Sequence, residues 1–472
     1  MIFRFIEISN DTLFAYYLLS NLIYVVLLIA AVWTSTVHQR HLAGMPMTRL
    51  MSSPLTPPVA LLVPARNEEK SIVESVHSLL ELDYPGLEVI VINDGSTDRT
   101  LEELIEEFHL LETDLFYVPE IPTQIMRRIY VSPDDGRLLV LVKEWGHSKA
   151  DCINAGVNAA SSPYICVVDA DAVLEKDALL RIMIPSLTEV HHVVASGGIV
   201  RVVNGSVVAG GQLREIRLPH RPLEILQVIE YLRAFLVGRE GWAQFNLLMI
   251  ISGAFGVFRR DLVKQVGGYR TDTVGEDIDL VTRLHRLLQE RNQPYHINFV
   301  PDPVCWTEAP SDLRSLGRQR ARWQKGLFDV LWRNRDMLFN PRYGRIGWLA
   351  LPYLWIFELL APVIELLGYT TLIAAALLGV LSRHFFLDFL LFGYAFATVI
   401  SIGSVLQEEI TYRRYNDWRD VTTLILFCFL DHFPYRQLQM FWRFWGLWQY
   451  LRGDWGWGQL QRVGFQSRDK TE

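Results

Sequence analysis

The chain has 472 residues, half of them hydrophobic and 12% aromatic, with 21% charged and a formal net charge of −7. That is too apolar for an ordinary soluble enzyme, and the negative balance excludes any global attraction for nucleic acid phosphates. Polar and apolar stretches are segregated, which points to a membrane protein with a large polar domain.

In chain order, residues 14–34 (FAYYLLSNLIYVVLLIAAVWT) carry no charge and are long enough to cross a bilayer core of roughly 30 Å. A cleaved signal peptide would need a basic start, a short apolar core and a small-residue cleavage site; the long run ending in Trp33 favours a retained anchor. Arg40 and Arg49 follow it and put the next segment on the cytoplasmic side. Residues 57–300 alternate apolar runs with helical patterns. VALLVPA (59–65), EVIVIND (88–94) and the apolar run opening YICVVDAD (164–171) read as buried strands. EEKSIVESVHSLLEL and TDRTLEELIEEF read as the helices between them, with Thr97 or Asp98 as cap. This is the pattern of βαβ units and a largely parallel sheet, whose ligands sit at the carboxyl ends of strands. Asp94, Asp169 and Asp171 all fall there, while residues 112–147 break the rhythm as a hairpin insertion.

Two aromatic amphipathic helices are expected near 222–246 and 311–338, the second lying in a membrane interface. Residues 348–382, kinked at Pro352 and Pro362, and 386–406 are apolar spans; 421–451 is a third candidate, interrupted by Asp431, His432 and Pro434. Arg413, Arg414 and Arg419 suit a cytoplasmic loop, and Arg452, Arg462, Arg468 and Lys470 a cytoplasmic tail, although three full crossings would put that tail outside. The expected organisation is an anchor (1–50), a cytoplasmic catalytic domain (51–310), the interface helix (311–345), transmembrane helices (346–452) and a tail (453–472). The four cysteines, Cys152, Cys166, Cys305 and Cys428, show no metal or disulfide spacing and read as buried thiols. His191 and His192 read as structural, and Trp442, Trp445, Trp448, Trp455 and Trp457 as an interfacial belt.

The chemistry-bearing residues are few. Asp169-Ala170-Asp171 follows a wholly apolar run, where paired carboxylates are costly unless a cation neutralises them. A divalent ion on a diphosphate does this through hard oxygen ligands. Asp94 opens a Gly turn and is a candidate acceptor for a nucleobase or ribose. Asp277 opens a helix, where acids ordinarily complement the dipole, or serve as a general base. Gln319 and Trp323 are one helical turn apart; Trp offers a sugar a stacking surface, and Arg322 offers phosphate a fork.

PARNEE (64–69), NDGSTD (93–98), HSKADCINAG around Lys149, DAD, ISGAFG (251–256), GED and QRARW occur in this order over residues 55–465. The set resembles the processive family-two glycosyltransferases, the group of poly-N-acetylglucosamine, cellulose and hyaluronan synthases, the first being nearest in wording. The resemblance implies an α/β cytoplasmic nucleotide-sugar-binding domain of glycosyltransferase-A type, joined to transmembrane and interface helices. It implies that Asp94 contacts uridine, Lys149 lies near the diphosphate, and Asp169 and Asp171 form the donor and metal site for Mg²⁺ or Mn²⁺. Asp277 matches the catalytic base; Gln319, Arg322 and Trp323 match the motif placing diphosphate and acceptor; Ser252 and Gly253 lie beside the acceptor end. The chain stops at 472 with no cyclic-dinucleotide-binding domain and no match to the gating-loop motif of cellulose synthases, so cellulose is not the expected product.

The expected function is inverting transfer from a nucleotide-diphospho-sugar, a UDP-sugar by resemblance, to a growing polysaccharide that then crosses the cell membrane. The partners are donor, polymer and lipid bilayer, with no nucleic acid; any accessory export subunit is unnamed. The alternatives are a single-transfer enzyme making a glycolipid, a non-catalytic membrane scaffold, and a nucleotidyl or phosphoryl transferase. The last is disfavoured because no P-loop pattern occurs.

Overall fold

The computed structural model describes residues 2–453 except 116, 189–191, 382 and 416. The expectations for His191, Trp455, Trp457, Arg462, Arg468 and Lys470 lie outside the described residues. The chain forms two compact units, one of residues 41–217 with 248–309, the other of 1–40, 218–247 and the helices from 310 onward.

In the first unit the strands are β1 (Val59–Ala65), β2 (Leu87–Asp94), β3 (Leu111–Glu112), β4 (Met126–Val131), β5 (Leu138–Lys143), β6 (Tyr164–Val168), β7 (Val173–Leu174), β8 (Val193–Val202), β9 (Val207–Ala209), β10 (Gln212–Glu215), β11 (Phe255–Arg259) and β12 (His296–Thr307). Among the described residues, β9 and β10 form a hairpin and the other ten form one sheet, in the order β3-β4-β5-β2-β1-β6-β11-β8-β12-β7. Strand β1 lies parallel between β2 and β6, and β5 continues parallel beyond β2. Apolar side chains fill both faces of these strands, which is why they read as unbroken hydrophobic runs. Strand β11 runs antiparallel between β6 and β8.

Residues 112–147 do contain a hairpin, β4 with β5, but it is no side insertion: β5 pairs with β2 and carries the sheet outward. Neither Thr97 nor Asp98 is the N-cap of the helix Thr100–Phe108, which is Arg99 without a side-chain cap; Asp98, one residue earlier, accepts from Thr100 N at 3.1 Å through Oδ1. All four cysteines are buried thiols. Buried His285 donates from Nε2 to Leu248 O (2.9 Å), which leaves Nδ1 to accept from the Tyr295 hydroxyl (2.6 Å). Burial pushes its pKa down to about 4.

In the second unit, Ile8–Ala43 and Phe386–Thr411 are long and apolar enough to cross a membrane; Ile346–Leu359 with Ala361–Leu377, bent by 45°, makes a third if the pair is one span. The bend falls beside Pro362, which has no N–H to give and whose ring crowds the preceding turn. Residues 421–451 are not one span. Helices Trp418–Leu430 and Arg436–Leu451 have 13 and 16 residues, and Phe433 between them leaves helical geometry (φ −157°, ψ 120°). The QRARW-bearing helix, Leu313–Arg333, is capped by Asp312 and packs along Arg436–Leu451, with Gly317 under Trp442 and Ala321 against Gly446. Residues 218–247 pack with these helices.

A Cβ on Gly198 of β8 would fall 2.3 Å from Cδ1 of the fully buried Phe255 ring. Gly198→Val should therefore cost roughly 1–3 kcal/mol by overpacking. A clear fall in melting temperature in detergent is expected, against no change for Gly136→Ala, which meets nothing within 4 Å. Equal melting of the two variants would show that the core accepts the methyls.

Candidate active site

The register of β2 on β5 sets Asp94 directly opposite Lys143. The Lys143 ammonium, wholly buried, donates to Asp94 Oδ1 and lies 2.6 Å from Asp151 Oδ2, and Gly146 N reaches Asp94 Oδ1 at 2.9 Å. Burial alone would lower the Lys143 pKa, but the carboxylates of Asp151 and Asp94 outweigh it and hold it above its ordinary value. Two glycines make room here. Gly95 has φ +61° and a Cβ there would sit 3.0 Å from Trp145 N; one on Gly146 would strike Asp151 Oδ2 at 2.2 Å. Above this cluster Trp145, 42% exposed, packs against the Arg66 guanidinium and the His147 ring, each 3.7 Å from its ring centre.

The register of β11 on β6 sets Phe255 opposite Val168, so Ser252 and Gly253, just before β11, come alongside Asp169, just after β6. Ser148 caps the helix Lys149–Ala159, its Oγ accepting from Ala150 N at 3.2 Å, which places Lys149 at the first helical position. Lys149 Nζ donates to Asp169 Oδ1 and, at 3.0 Å, to Gly253 O. Ser252 closes the loop, its carbonyl accepting from Phe255 N at 3.2 Å. Asp171 is half-buried two residues further on. Burial, then the negative field of Asp169 with contributions from Cys166 and Asp171, pushes the Cys305 thiol well up.

Asp277, half-buried in the first turn of Glu276–Glu290, accepts from Ile278 N at 2.8 Å through Oδ1. Asp279 in the same turn is wholly buried and paired with Arg283 at 2.7 Å, a structural acid. Burial, with Asp277 and Glu276 nearby, pushes the Tyr269 hydroxyl pKa well up, and the Tyr269 backbone is clamped by Asn154 of the helix that Lys149 begins (2.7 and 2.8 Å).

Gln319, Arg322 and Trp323 lie on Leu313–Arg333 in the helical unit. Gln319 Oε1 accepts from Arg320 at 2.9 Å, and the Arg320 guanidinium stands 4.2 Å from the centre of the Trp323 ring, which is 44% exposed. Arg320 is 2% exposed and pairs at 2.8 Å with Glu230 Oε2, which also accepts from Tyr435 and Gln439. Sequence reasoning missed Lys143, Asp151, Arg320 and Glu230. The helical stripe Leu316–Arg320–Gln324 was a signal for Arg320; Asp151 was hidden as an ordinary first-turn acid.

Removing Lys143 strands two buried carboxylates. Lys143→Met should cost roughly 3–5 kcal/mol, as breaking a buried ion cluster does. Lys143→Met with Asp151→Asn should recover part of it in chemical denaturation. A single variant as stable as wild type would deny the cluster its role. Because the folded pKa of Lys143 is raised, its contribution is complete below its unfolded value of about 10.4 and is lost only as pH rises through the folded value. Stability should accordingly not change on its account between about pH 6 and 9.

Comparison with known proteins bears on the family and the fold. The model of glycosyl transferase family 2 matches residues 60–267, and that of glycosyl transferase family group 2 matches 164–428. The chain is 29% identical over 278 residues to the poly-β-1,6-N-acetyl-D-glucosamine synthase of Staphylococcus epidermidis, covering 58% of this chain and 56% of that protein. The Staphylococcus aureus (strain COL) protein of the same name gives the same identity and coverage. The chain thus spans little more than half the length of the curated relatives it matches. Among solved structures, a mannosyltransferase from Pyrobaculum calidifontis in complex with GDP-Man and Mn²⁺ superposes with a TM-score of 0.50 at 20% identity, over 91% of this chain and 99% of that one, a likeness of glycosyltransferase-A-like fold. With one model covering more than half of its length, the chain belongs to glycosyl transferase family group 2.

Proposed function

We propose that this chain is a membrane-embedded inverting glycosyltransferase that lengthens a polysaccharide from a UDP-sugar on the cytoplasmic side and passes the product across the membrane. The observation that carries the reading is Lys149, whose ammonium joins Asp169 to the Gly253 carbonyl. One cation thereby stands between the carboxylates suited to a donor and the loop suited to an acceptor end. The curated relatives are named for a polymer of N-acetylglucosamine, so UDP-N-acetylglucosamine is the first donor to test. The apolar helices Ile8–Ala43 and Phe386–Thr411 supply the membrane segments.

The residues divide the work as follows. Asp94, held by Lys143, accepts from the nucleobase. In the sheet unit Lys149 carries the diphosphate, whose charge grows as it leaves. Asp277 accepts the proton of the attacking acceptor hydroxyl at its carboxylate. In the sheet unit Ser252 and Gly253 serve the acceptor end; in the helical unit, taken by itself, Arg322 is a phosphate fork and Gln319 and Trp323 a sugar-binding face, the indole covering a sugar with Arg320 at its back. Among the described residues no three His, Cys, Asp or Glu side chains are grouped to hold a metal by themselves. The pair Asp169 and Asp171 suits Mg²⁺ or Mn²⁺ that the donor's phosphates also ligate, since both are hard oxygen donors in a negative field. Such an ion supplies charge neutralisation to the leaving diphosphate.

Purified protein incubated with a panel of UDP-sugars, with the product sized, tests the reading; single-sugar products would reduce it to a non-processive transferase. Asp277→Asn should lower transfer by about 10²–10⁴-fold while UDP binding by calorimetry stays near wild type. Wild-type polymer output from that variant would remove Asp277 from the mechanism. EDTA should stop transfer, with Mg²⁺ or Mn²⁺ restoring it; full activity in metal-free buffer contradicts the assignment of Asp169 and Asp171.

A further inference from the structure

The helical unit carries an exposed patch outside the residues assigned above to sugar transfer. After Leu313–Arg333 the chain makes two tight turns, Arg335–Met337 and Pro341–Tyr343, before the apolar segment that starts at Ile346. The turns are braced from within. Asn340 Oδ1 accepts from Arg342 N at 3.1 Å, Phe339 N donates to Gly347 O at 2.9 Å, and Met337 and Tyr343 are buried. Gly347 lets the following helical segment approach the first turn closely, since a Cβ there would meet Met337 O at 2.7 Å.

The outer side of this frame alternates aromatic rings and guanidinium groups. Phe339 and Trp348, each 52% exposed, meet edge to face at 5.6 Å. Arg335, Arg342 and Arg345 are exposed beside them, and among the described residues no carboxylate pairs with Arg342 or Arg345. The neighbouring helix ends add the same chemistry. Leu313–Arg333 and Arg436–Leu451 run in the same direction, Gly317 beside Trp442 and Phe328 beside Tyr450. Their carboxyl ends therefore present together Trp332 with Arg335 at 4.8 Å and Trp448 with Arg452 at 4.6 Å.

Exposed indoles are costly in water and favoured at the headgroup level of a bilayer. Guanidinium forks match phosphate oxygens, and cations beside an anionic membrane surface gain about fivefold in affinity each. A free phosphate would leave the rings wet, whereas a lipid engages both, and the patch runs directly into an apolar membrane segment. We propose that the Arg335–Arg342–Arg345 patch, rimmed by Phe339 and Trp348, binds the headgroups of anionic phospholipids and makes the chain prefer them to zwitterionic ones.

The test uses the full chain without any sugar donor, so its outcome is independent of transferase activity. Purified protein is titrated with phosphatidylglycerol or phosphatidylcholine in detergent micelles, and bound lipid is counted by native mass spectrometry. Wild type should bind phosphatidylglycerol at least about tenfold more tightly, an advantage that shrinks as salt is raised. Replacing all three arginines by glutamine should abolish the preference, and replacing them by lysine should keep most of it, which guards against loss of fold. Equal binding of the two lipids by wild type overturns the proposal, as does a glutamine variant that keeps the preference. Displacement of the lipid by equimolar inorganic phosphate would instead mark a soluble-anion site and overturn the lipid assignment.

Discussion

Strand β11 runs against the strands on either side of it, and the candidate active site depends on that reversal. Phe255 stands opposite Val168, so the peptide entering β11 and the peptide leaving β6 are brought side by side. Had β11 run parallel, its amino-terminal loop would lie at the far edge of the sheet, a strand's length away. The antiparallel register instead gives Lys149 two partners at once, the Asp169 carboxylate and the Gly253 carbonyl. The rest of that edge follows from parallel pairing: β1, β2, β5 and β6 all end there, bringing Arg66, Asp94, Trp145 and Asp169 to one side.

Two lysines on this edge have opposite circumstances. Lys143 is wholly buried between two carboxylates and cannot exchange partners without exposing charge to an apolar surrounding. Lys149 is 22% exposed and its Asp169 partner 25%, so their contact can be exchanged at little desolvation cost.

The helical unit, taken by itself, solves a related problem. Its buried charges are paired: Arg233 with Asp431, Glu365 with Arg436 at 2.5 Å, and Arg320 with Glu230. Unpaired, such groups would be expensive in an apolar bundle. The pairs also explain why 421–451 does not run as one helix. Asp431 and His432 turn inward to Ser401, and Arg436, beyond the break, turns to Glu365.

Much of this was legible from residues alone. Strands β1, β2 and β6 announced themselves because both their faces are buried and their central positions, Val89–Ile92 in β2, are apolar. Strand β8 did not, since Gly197 and Gly198 dilute its pattern where Ile251 and Phe255 need the space; nor did β12, whose prolines fall at a register shift between Val300 and Cys305. Asp94, Asp169, Asp171 and Asp277 stood out as carboxylates at strand and helix ends, and Gln319, Arg322 and Trp323 by their helical spacing, whereas Lys149 was marked only by the resemblance of its motif. Their neighbours were silent. Lys143 reaches Asp94 across 49 positions and Arg320 reaches Glu230 across 90, and no local pattern records a pairing made by sheet register or helix packing. The sequence by itself determined which side chains could do the chemistry and which stretches prefer lipid, because those are properties of residue type and period. Only the tertiary structure decided which charges neutralise one another, because that depends on which distant strands and helices become neighbours.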